Sequence, residues 1–327
     1  MMYKYIIVIL IFTISLQSRS LNYVFALVPK NINSSFFMQA SLGCSKAAKE
    51  LNVKCVYIGS EEANPRSQVK TIEDLIEQKV DGIAVSVIDS NHLIKSGVLQ
   101  KAQKQNIPII TFDSDLSDII LKKYPNIRKS YIGTNNFEFG QELGKALIEL
   151  RPKGGSLCIQ SGWKNSKNLN ERVEGIRSVL LETNNKVDLT KRLNNETWIE
   201  HKRCPAYSND DVSRALFQLT IMLKEVDAFV SVGGWAQYSD NYPNKIQEYK
   251  YMLWENKKTL IIASTQPVQI KLLEKKLSMY NIGQNPFAMG ELAIETLYAI
   301  KLQKKVKNII HTPLTKCSYK NYLTCLK

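Results

Sequence analysis

The sequence has 327 residues, of which 44% are hydrophobic and 23% are charged. These fractions are typical of a globular chain and exclude a disordered or fibrous one, and the length suffices for two domains of ordinary size. Lysine and arginine number 44 against 30 aspartates and glutamates, which gives a formal net charge of +14. The basic residues are scattered in short runs, KKYPNIRK, LLEKKL and LQKKVK among them, and we find neither a basic stripe interleaved with aromatic residues nor a DNA-reading motif. We therefore expect a solvated basic surface and no nucleic-acid partner.

The first twenty residues, MMYKYIIVILIFTISLQSRS, have the layout of a signal peptide. A lysine precedes an apolar run from Tyr5 to Leu16, and the small residues Ser18 and Ser20 follow it with the spacing of a cleavage site. The run is too short for a spanning helix, and a single N-terminal anchor is the alternative. We predict export to the periplasm and a mature chain that begins near Leu21.

The chain has six cysteines, a number compatible with an oxidising compartment. None has C-x-x-C spacing, so zinc binding and thioredoxin-type chemistry have little support. Cys55 and Cys158 fall inside apolar strands, where we expect them to act as small hydrophobic side chains. Cys317 and Cys325 are the best candidates for a disulfide, and the connectivity of the others, Cys44 and Cys204 included, stays open.

After Leu21 the chain alternates between predicted strands and helices. Short apolar runs predict strands of a buried parallel sheet, namely LNYVFALV, VKCVYIG, GIAVSVI, IPIITF, GSLCIQSG, VDAFVSVGG and TLIIAS. Helical spacing of apolar residues predicts helices over 36–51, 66–78, 92–105, 169–182, 209–224 and 242–256. The alternation indicates an α/β fold with parallel sheets.

One short pattern occurs in both halves of the chain. Val80-Asp81-Gly82 and Val226-Asp227-Ala228 each stand between a predicted helix and an apolar strand. Two similar α/β domains would produce this repetition. A single doubly wound sheet is the alternative.

The stretch YIGTNNFEFGQELGKAL, residues 131–147, joins a short strand to a helix in the middle of the chain. With the preceding FDSD, it resembles the segment that joins the two lobes of type I periplasmic binding proteins, the ribose- and galactose-binding group. Four other motifs are similar to this family in the same order, namely NINSSFFMQASLGCSKAAKEL, NPRSQVKTIEDLIEQKVDGIAVSVID, NERVEGIRSVL and IGQNPFAMGELAIETL. The resemblance covers nearly the whole mature chain.

The resemblance implies two similar Rossmann-like lobes joined by a three-strand hinge. The chain is expected to cross between lobes at Tyr131–Thr134, near Ile282–Asn285 and near Ile310–Pro313. The predicted domains are a signal peptide (1–20), an N-terminal lobe (21–132 plus 285–311) and a C-terminal lobe (133–284 plus 312–327). In such a fold the lobes close over a ligand by a hinge motion.

The resemblance also implies which residues bind the ligand. Such residues follow the carboxyl ends of strands. Phe36 and Phe37 occupy the family's aromatic position, where a ring lies against the C–H face of a sugar. Asp113 and Gln284 are expected to bind sugar hydroxyls. Further candidates are two second-lobe aromatic residues and several polar residues of the strand ends and the hinge: Tyr207, Trp235, Ser86, Thr134, Asn136, Asn170 and Ser264.

Some of these positions depart from the family's pattern. Asn170 stands where the family commonly has an arginine, and Ser264 where it commonly has an aspartate. The usual first-lobe asparagines fall near Ser34 and Ser86. A pentose in the usual pose would lose several hydrogen bonds, each contributing roughly 0.5–1.5 kcal/mol. The expected ligand is therefore larger, less polar or differently oriented.

The remaining landmarks do not indicate catalysis. His92, His201 and His311 are isolated, and the sequence has no G-x-S-x-G, P-loop or G-x-G-x-x-G motif. We expect no metal, no cofactor and no enzyme activity. An exported carbohydrate-active enzyme, the less favoured alternative, would need paired carboxylates, for which only Asp113 and Asp115 are candidates.

The expected function is that of an exported solute receptor. It would bind a sugar-like molecule between its lobes, as a monomer, and deliver it to an inner-membrane ABC permease. A receptor that presents its ligand to a chemoreceptor or sensor kinase is the alternative, and the sequence does not separate the two. A lactose-repressor-type regulator is rejected, because a signal peptide stands where its helix-turn-helix would be.

Overall fold

The computed structural model describes residues 23–181, 188–255 and 257–326. The predicted signal peptide lies outside the described residues, so its cleavage stays a prediction. Within the described ranges, no helix combines the length and the apolar character that crossing a membrane requires.

The first sheet consists of six parallel strands, five from the first part of the chain and one late strand. These are β1 (Val24–Val28), β2 (Lys54–Tyr57), β3 (Gly82–Val85), β4 (Ile109–Phe112), β5 (Tyr131–Gly133) and β12 (Ile309–His311). Their order across the sheet is β12-β5-β4-β3-β1-β2, with every neighbouring pair parallel. Since helices cover both faces, the central strands β1, β3 and β4 are almost continuously apolar and buried, while the edge strands β2 and β12 are partly exposed.

The second sheet repeats this arrangement with strands from the middle of the chain. They are β6 (Gly155–Ser161), β7 (Trp198–Glu200), β8 (Ala206–Tyr207), β9 (Ala228–Ser231), β10 (Thr259–Ala263), β11 (Tyr280–Gly283) and β13 (Thr315–Ser318). The order is β13-β11-β10-β9-β6-β7, and β8 also pairs with β6. Only β13 is antiparallel to its neighbour in the described sheet. Two separate α/β units confirm the predicted fold class, and the single doubly wound sheet is wrong.

Twelve α-helices connect the strands of the described chain. They are α1 (Ser35–Leu51), α2 (Pro65–Glu77), α3 (Ser90–Ser96), α4 (Val98–Lys104), α5 (Asp118–Lys123), α6 (Asn136–Leu150), α7 (Lys167–Leu180), α8 (Val212–Glu225), α9 (Tyr242–Gln247), α10 (Lys250–Trp254), α11 (Pro267–Glu274) and α12 (Pro286–Lys301). Two predicted helices are each divided in two. The one over 92–105 breaks at Gly97, whose φ of 75° ends α3 in the left-handed conformation.

Three short segments carry the chain between the two sheets. The first joins β5 to α6, which packs with α7, and the second joins β11 to α12, which packs with α1. The third lies between β12 and β13, which belong to different sheets. Each segment follows the end of a strand, so all three lie beside the space between the lobes.

Close helix packing fixes the position of α7. Gly140 of α6 has no room for a side chain, because an added Cβ would stand 2.1 Å from the carbonyl oxygen of Arg172. Gly175 of α7 is equally close to Phe137, at 2.2 Å from its carbonyl oxygen. Glycine at both places lets the two backbones touch, and it holds α7 in one register against α6.

All six cysteines form disulfides in the described structure. The pairs are Cys44–Cys55, Cys158–Cys204 and Cys317–Cys325. The prediction that Cys55 and Cys158 act as unpaired hydrophobic side chains is wrong, because each strand passes beside a second cysteine at bonding distance. The Cys317–Cys325 pair was expected from the sequence.

Candidate functional site

A cavity of about 710 Å³ lies between the two lobes. Its walls come from loops that follow the carboxyl ends of strands in both sheets and from the first turns of α1 and α7. This is the edge of a parallel α/β sheet where ligands bind. The volume is within the range of ordinary small-molecule sites.

Aromatic rings line the cavity from both lobes. Phe36 and Phe37 begin α1 and pack edge to face, with ring centroids 5.1 Å apart. Phe37 is buried and also packs edge to face on Phe112 of the core, so Phe36 has the freer ring. Trp163 and Trp235 come from the second lobe. Flat apolar faces of this kind suit the C–H face of a sugar ring.

Asp113 places a buried carboxylate on the first-lobe side of the cavity. Its Oδ2 accepts a hydrogen bond from the hydroxyl of Ser86 at 2.7 Å. It stands 3.8 Å from Nζ of Lys30, and its Oδ1 accepts a 3.5 Å contact from the amide of Asn168. The carboxylate thus contacts a cation and a residue of the opposite lobe, and it retains the capacity to accept further hydrogen bonds.

Lys30 links the two lobes across the cavity. It follows β1, and its side chain is buried. Its Nζ donates to the hydroxyl of Ser166 at 2.9 Å and to Oδ1 of Asn168 at 3.3 Å, both in the second lobe. A further contact across the cleft joins Lys167 to Asp118 at 2.7 Å. The lobes are therefore in a closed arrangement.

Arg172 is the buried cation of the second lobe. It stands one helical turn after Asn168, so the two side chains share the cavity face of α7. Its guanidinium donates to Oδ1 of Asn136 at 2.9 Å, to the carbonyl of Val232 at 2.8 Å and to Oε1 of Gln284 at 2.7 Å. Burial lowers the pKa of Arg172 to about 10, and the side chain remains a cation at neutral pH.

Three polar atoms in the cavity wall are buried without a hydrogen-bond partner among the described residues: Ser35 Oγ, Trp163 Nε1 and Asp210 Oδ1. Asp210 is partly exposed as a residue although its Oδ1 is buried. Burial raises the pKa of Asp210 to about 6, with Lys30 opposing the shift. Buried polar groups nearly always have partners, so a polar ligand would satisfy these three.

Backbone in the left-handed region is concentrated at the same place. Ser264 has a φ of 93°, and Asp113, Asn209 and Asp210 have φ values of 57°, 55° and 60°. All four line the cavity. The other described non-glycine residues with positive φ stand at or just after the ends of helices, where this conformation is common. Left-handed backbone away from helix ends is typical of functional sites.

Six of the eleven candidates named from the sequence line the cavity: Phe36, Phe37, Asp113, Trp235, Ser264 and Gln284. Three others do not line it but contact residues that do. Ser86 donates to Asp113, Thr134 Oγ1 accepts from Gln284 at 3.0 Å, and Asn136 accepts from Arg172. These three hold the cavity residues in place.

Asn170 and Tyr207 do not line the cavity. Asn170 is two positions from both Asn168 and Arg172, about 200° away around the helix, and its amide donates to the carbonyl of Lys164 at 2.9 Å. Tyr207 is on β8, where its pKa is raised by burial and by Glu200, a residue that is itself outside the cavity lining. The loop immediately after Tyr207 supplies Asp210 instead.

The sequence interpretation missed Lys30, Asn168, Arg172 and Asp210. Lys30 follows the first strand, so the rule that binding groups follow strand ends would have found it. The resemblance places the family's usual arginine at Asn170, whereas the arginine of this chain stands two residues later, at Arg172. Asp210 follows a strand of two residues, which leaves no apolar run in the sequence.

The described residues contain no group of three or more His, Cys, Asp or Glu placed to hold a metal ion. Asp115, the second carboxylate considered for catalysis, does not face the cavity. It forms a buried pair with Arg128, with contacts of 2.9 and 2.6 Å. Asp113 and Asp115 therefore do not form the paired carboxylates that a glycosidase would need.

Two α/β lobes with a ligand-sized cavity between them define the class of two-lobed solute-binding proteins. The comparison with protein families agrees, because the family described as periplasmic binding protein domain matches residues 25–305. The chain belongs to this family.

Individual relatives are distant. The ribose import binding protein RbsB of Bacillus subtilis is 20% identical over 285 residues, 86% of this chain and 83% of the relative. The xylose/arabinose-binding protein XylF of Sulfolobus acidocaldarius is 29% identical over 148 residues, which cover 44% of this chain and only 36% of the relative.

Solved structures share the fold over almost the whole length. A solute-binding protein of an ABC transporter from Burkholderia graminis, in complex with D-arabinose, has a TM-score of 0.76 at 25% identity and covers 92% of this chain and 96% of its own. One from Agrobacterium vitis, bound to α-D-tagatopyranose, has a TM-score of 0.77 at 18% identity, with 91% and 95% covered.

Proposed function

We propose that this protein is an exported receptor that binds a sugar between its two lobes and delivers it to an ABC importer. The observation that carries the proposal is the cavity itself. It combines aromatic faces from both lobes, the charged groups Asp113, Arg172 and Asp210, and buried polar atoms without partners. Apolar faces with a few convergent polar groups are what a sugar needs.

The relatives support the same class of ligand. Those named above are ribose-, xylose- or arabinose-binding proteins, or are bound to arabinose or tagatose. These names support an inner-membrane permease as partner, and none supports a chemoreceptor or a carbohydrate-active enzyme. The chain would act as a monomer in the periplasm after cleavage near Leu21, with lobes 21–132 plus 285–311 and 133–284 plus 312–327.

The cavity is proposed to favour a ligand that is larger than a pentose, or one that binds in an orientation different from the family's usual pose. Ser264 is short where the family commonly has a carboxylate, which leaves space at the second-lobe wall. Its hydroxyl donates a hydrogen bond to the side-chain oxygen of Gln269 at 3.1 Å, so its donor is already used outside the cavity. Asp210, from a different loop, offers an acceptor in that lobe.

A thermal-shift screen of the purified chain against aldopentoses, hexoses, ketohexoses and polyols tests this function. A ligand at 100 times its dissociation constant stabilises the folded state by about 2.7 kcal/mol, a visible shift. We expect one sugar or a small group of related sugars to raise the melting temperature. No shift with any sugar, together with hydrolysis of a glycoside, would overturn the receptor function.

A further inference from the structure

A glycine without room for a side chain lies behind the second-lobe wall of the cavity. Gly162 directly follows β6 and is buried, and it is not one of the residues that line the cavity. A Cβ added to Gly162 would stand 1.9 Å from Oδ1 of Asp210, 2.7 Å from Cδ1 of Leu169 and 2.8 Å from Cζ2 of Trp235. Packed carbon atoms normally stay about 3.5–4.0 Å apart. Three side chains of the cavity wall therefore occupy the space that a side chain at position 162 would fill.

The loop that carries Asp210 is bound to the same strand end. The N–H of Ser208 donates to the carbonyl of Ser161 at 2.8 Å, and the N–H of Asn209 donates to the carbonyl of Gly162 at 3.3 Å. Asn209 and Asp210 both have left-handed backbone, which turns the chain at this point. The backbone therefore holds the side chain of Asp210 against Gly162.

A second glycine supports Trp235 from the neighbouring strand. β6 and β9 are parallel, and Gly162 and Gly233 follow them at the same level, because Gln160 pairs with Ser231 two residues earlier. A Cβ added to Gly233 would stand 2.4 Å from two atoms of the Trp235 ring. The indole ring thus lies across two glycines, and its position depends on the absence of a side chain at both.

The backbone conformation does not explain the glycine at position 162. Gly162 is not among the described glycines with a positive φ, so an alanine can adopt its backbone conformation. The atoms nearest to an added Cβ are all ends of side chains, whereas at Gly140 they are backbone atoms. A larger residue at position 162 would therefore displace cavity side chains and leave the strand in place.

Displacement of Asp210 would change its ionisation. Burial raises the pKa of Asp210 to about 6, and Asp113 adds to the shift while Lys30 and Arg172 oppose it. Oδ1 of Asp210 is buried and has no hydrogen-bond partner among the described residues. A Cβ at position 162 would push this oxygen away from the strand end and toward water, which lowers the pKa of the carboxyl group.

We propose that Gly162 is a positioning residue of the sugar site, which brings the Asp210 carboxylate and the Trp235 ring together at one strand end. A sugar on this wall would meet a hydrogen-bond acceptor beside an apolar face, and this combination selects a ligand with a hydroxyl at the edge of a C–H face. The inference rests on the proposed function, because it concerns the same site. The displacement of Asp210 can nevertheless be measured without any sugar.

Gly162→Ala tests the proposal, with Gly82→Ala as the matched control. A Cβ added to Gly82 would also meet side chains, at 2.8 Å from Cδ2 of Leu297 and 3.2 Å from Cδ1 of Phe25, both in the core of the first lobe. The melting temperature of the purified chain without sugar is measured from about pH 4 to about pH 7, on both sides of the pKa of Asp210. Calorimetric titration at neutral pH uses D-ribose, D-arabinose, D-xylose and D-tagatose.

Without sugar, the wild-type chain should lose stability relative to Asp210→Asn as the pH rises through about 6. Gly162→Ala should lose most of this pH dependence, and Gly82→Ala should retain it although its melting temperature falls. Gly162→Ala should also bind the sugar that the wild-type chain prefers at least about tenfold more weakly. Gly82→Ala should bind that sugar like wild type.

A wild-type pH dependence in Gly162→Ala, or equal changes in both glycine variants, would overturn the positioning role. If Gly162→Ala does not fold, its combination with Asp210→Ala should fold, because the closest side chain is then absent; failure of the combined variant would overturn the role as well. A wild-type chain that binds none of these sugars but gives the expected pH profiles would contradict the proposed function alone. The position of Asp210 against Gly162 would then still be supported.

Discussion

The guanidinium of Arg172 donates a hydrogen bond to the side-chain oxygen of Gln284 at 2.7 Å. Gln284 belongs to the second segment that crosses between lobes, and its amide donates to Thr134 of the first crossing at 3.0 Å. Arg172 also packs on the ring of Phe139, at 4.4 Å from the centroid. One buried cation thus connects α7, the cavity and two of the crossing segments.

Arg172→Lys should weaken both folding and binding. The lysine cannot reproduce three divergent donors, and each oxygen left unpaired in a buried site costs about 1–3 kcal/mol. We expect a lower melting temperature and at least about a tenfold loss of sugar affinity. Denaturation and calorimetric titration measure the two effects.

Arg177→Lys is the matched control. Arg177 is on the same helix and equally buried, but it pairs with Glu200 at 2.8 Å and does not line the cavity. It should lower stability and leave the affinity of the folded fraction unchanged. Equal loss of affinity in both variants would show that Arg172 acts through the helix and not through the site.

Asp113→Asn should reduce sugar affinity at least about tenfold, because it removes the charged acceptor from the first-lobe wall. Asp115→Asn is the companion variant, since Asp115 is just as buried but bonds to Arg128. It should destabilise the fold without changing the affinity per folded molecule. If Asp113→Asn binds sugar normally, this residue is structural and its assignment to the site is wrong.

Sugar affinity should rise with pH around the pKa of Asp210, which is about 6. The ionised carboxylate accepts stronger hydrogen bonds from sugar hydroxyls than the protonated carboxyl does. Sugar binding therefore strengthens as the pH rises through that value. The stability of the unliganded protein should change in the opposite direction. Because the pKa of Asp210 is higher in the folded chain than in the unfolded chain, its contribution to the free energy of unfolding is complete below about pH 4. That contribution is lost as the pH rises through about 6.

Calorimetric titration across this pH range measures the dependence, with Asp210→Asn as its control. The variant should give a flat profile over the same interval. A wild-type profile that falls with rising pH, or an unchanged slope in Asp210→Asn, would contradict the role assigned to Asp210.

Lys30→Met should shift the unliganded protein toward an open arrangement. Lys30 bonds to Ser166 and Asn168 across the cleft, so opening the lobes would break these bonds and the substitution would remove their stabilisation of the closed state. Small-angle scattering should show a larger radius of gyration than wild type without sugar. Lys301→Met, which removes a pair with Asp81 inside one lobe, should leave the radius unchanged; an equal change there would refute the prediction.

The sequence predicted most of the fold because its signals are local. Apolar strands and amphipathic helices are periodic in the chain, and the start of α6 follows from the capping side chain of Asn135 with Glu138 in the first turn. The division of the helix at Gly97 was missed because one glycine inside a helical pattern is often tolerated.

The site was less accessible because it depends on which way side chains face after tertiary packing. Asn168, Asn170 and Arg172 are all polar, and nothing in the sequence separates them. Only the register of α7 against α6 places Asn168 and Arg172 in the cavity wall. Lys30 appears on the sequence as one more surface lysine, and its burial results from closure of the second lobe over it.

The most direct measurement is a crystal structure of the protein grown with the sugar that gives the largest thermal shift. The account predicts the sugar between the lobes, with its C–H face on Phe36 or Trp235 and hydroxyls within hydrogen-bond distance of Asp113, Arg172 and Asp210. A sugar bound outside this cavity, or a closed cavity that stays empty at saturating sugar, would contradict it.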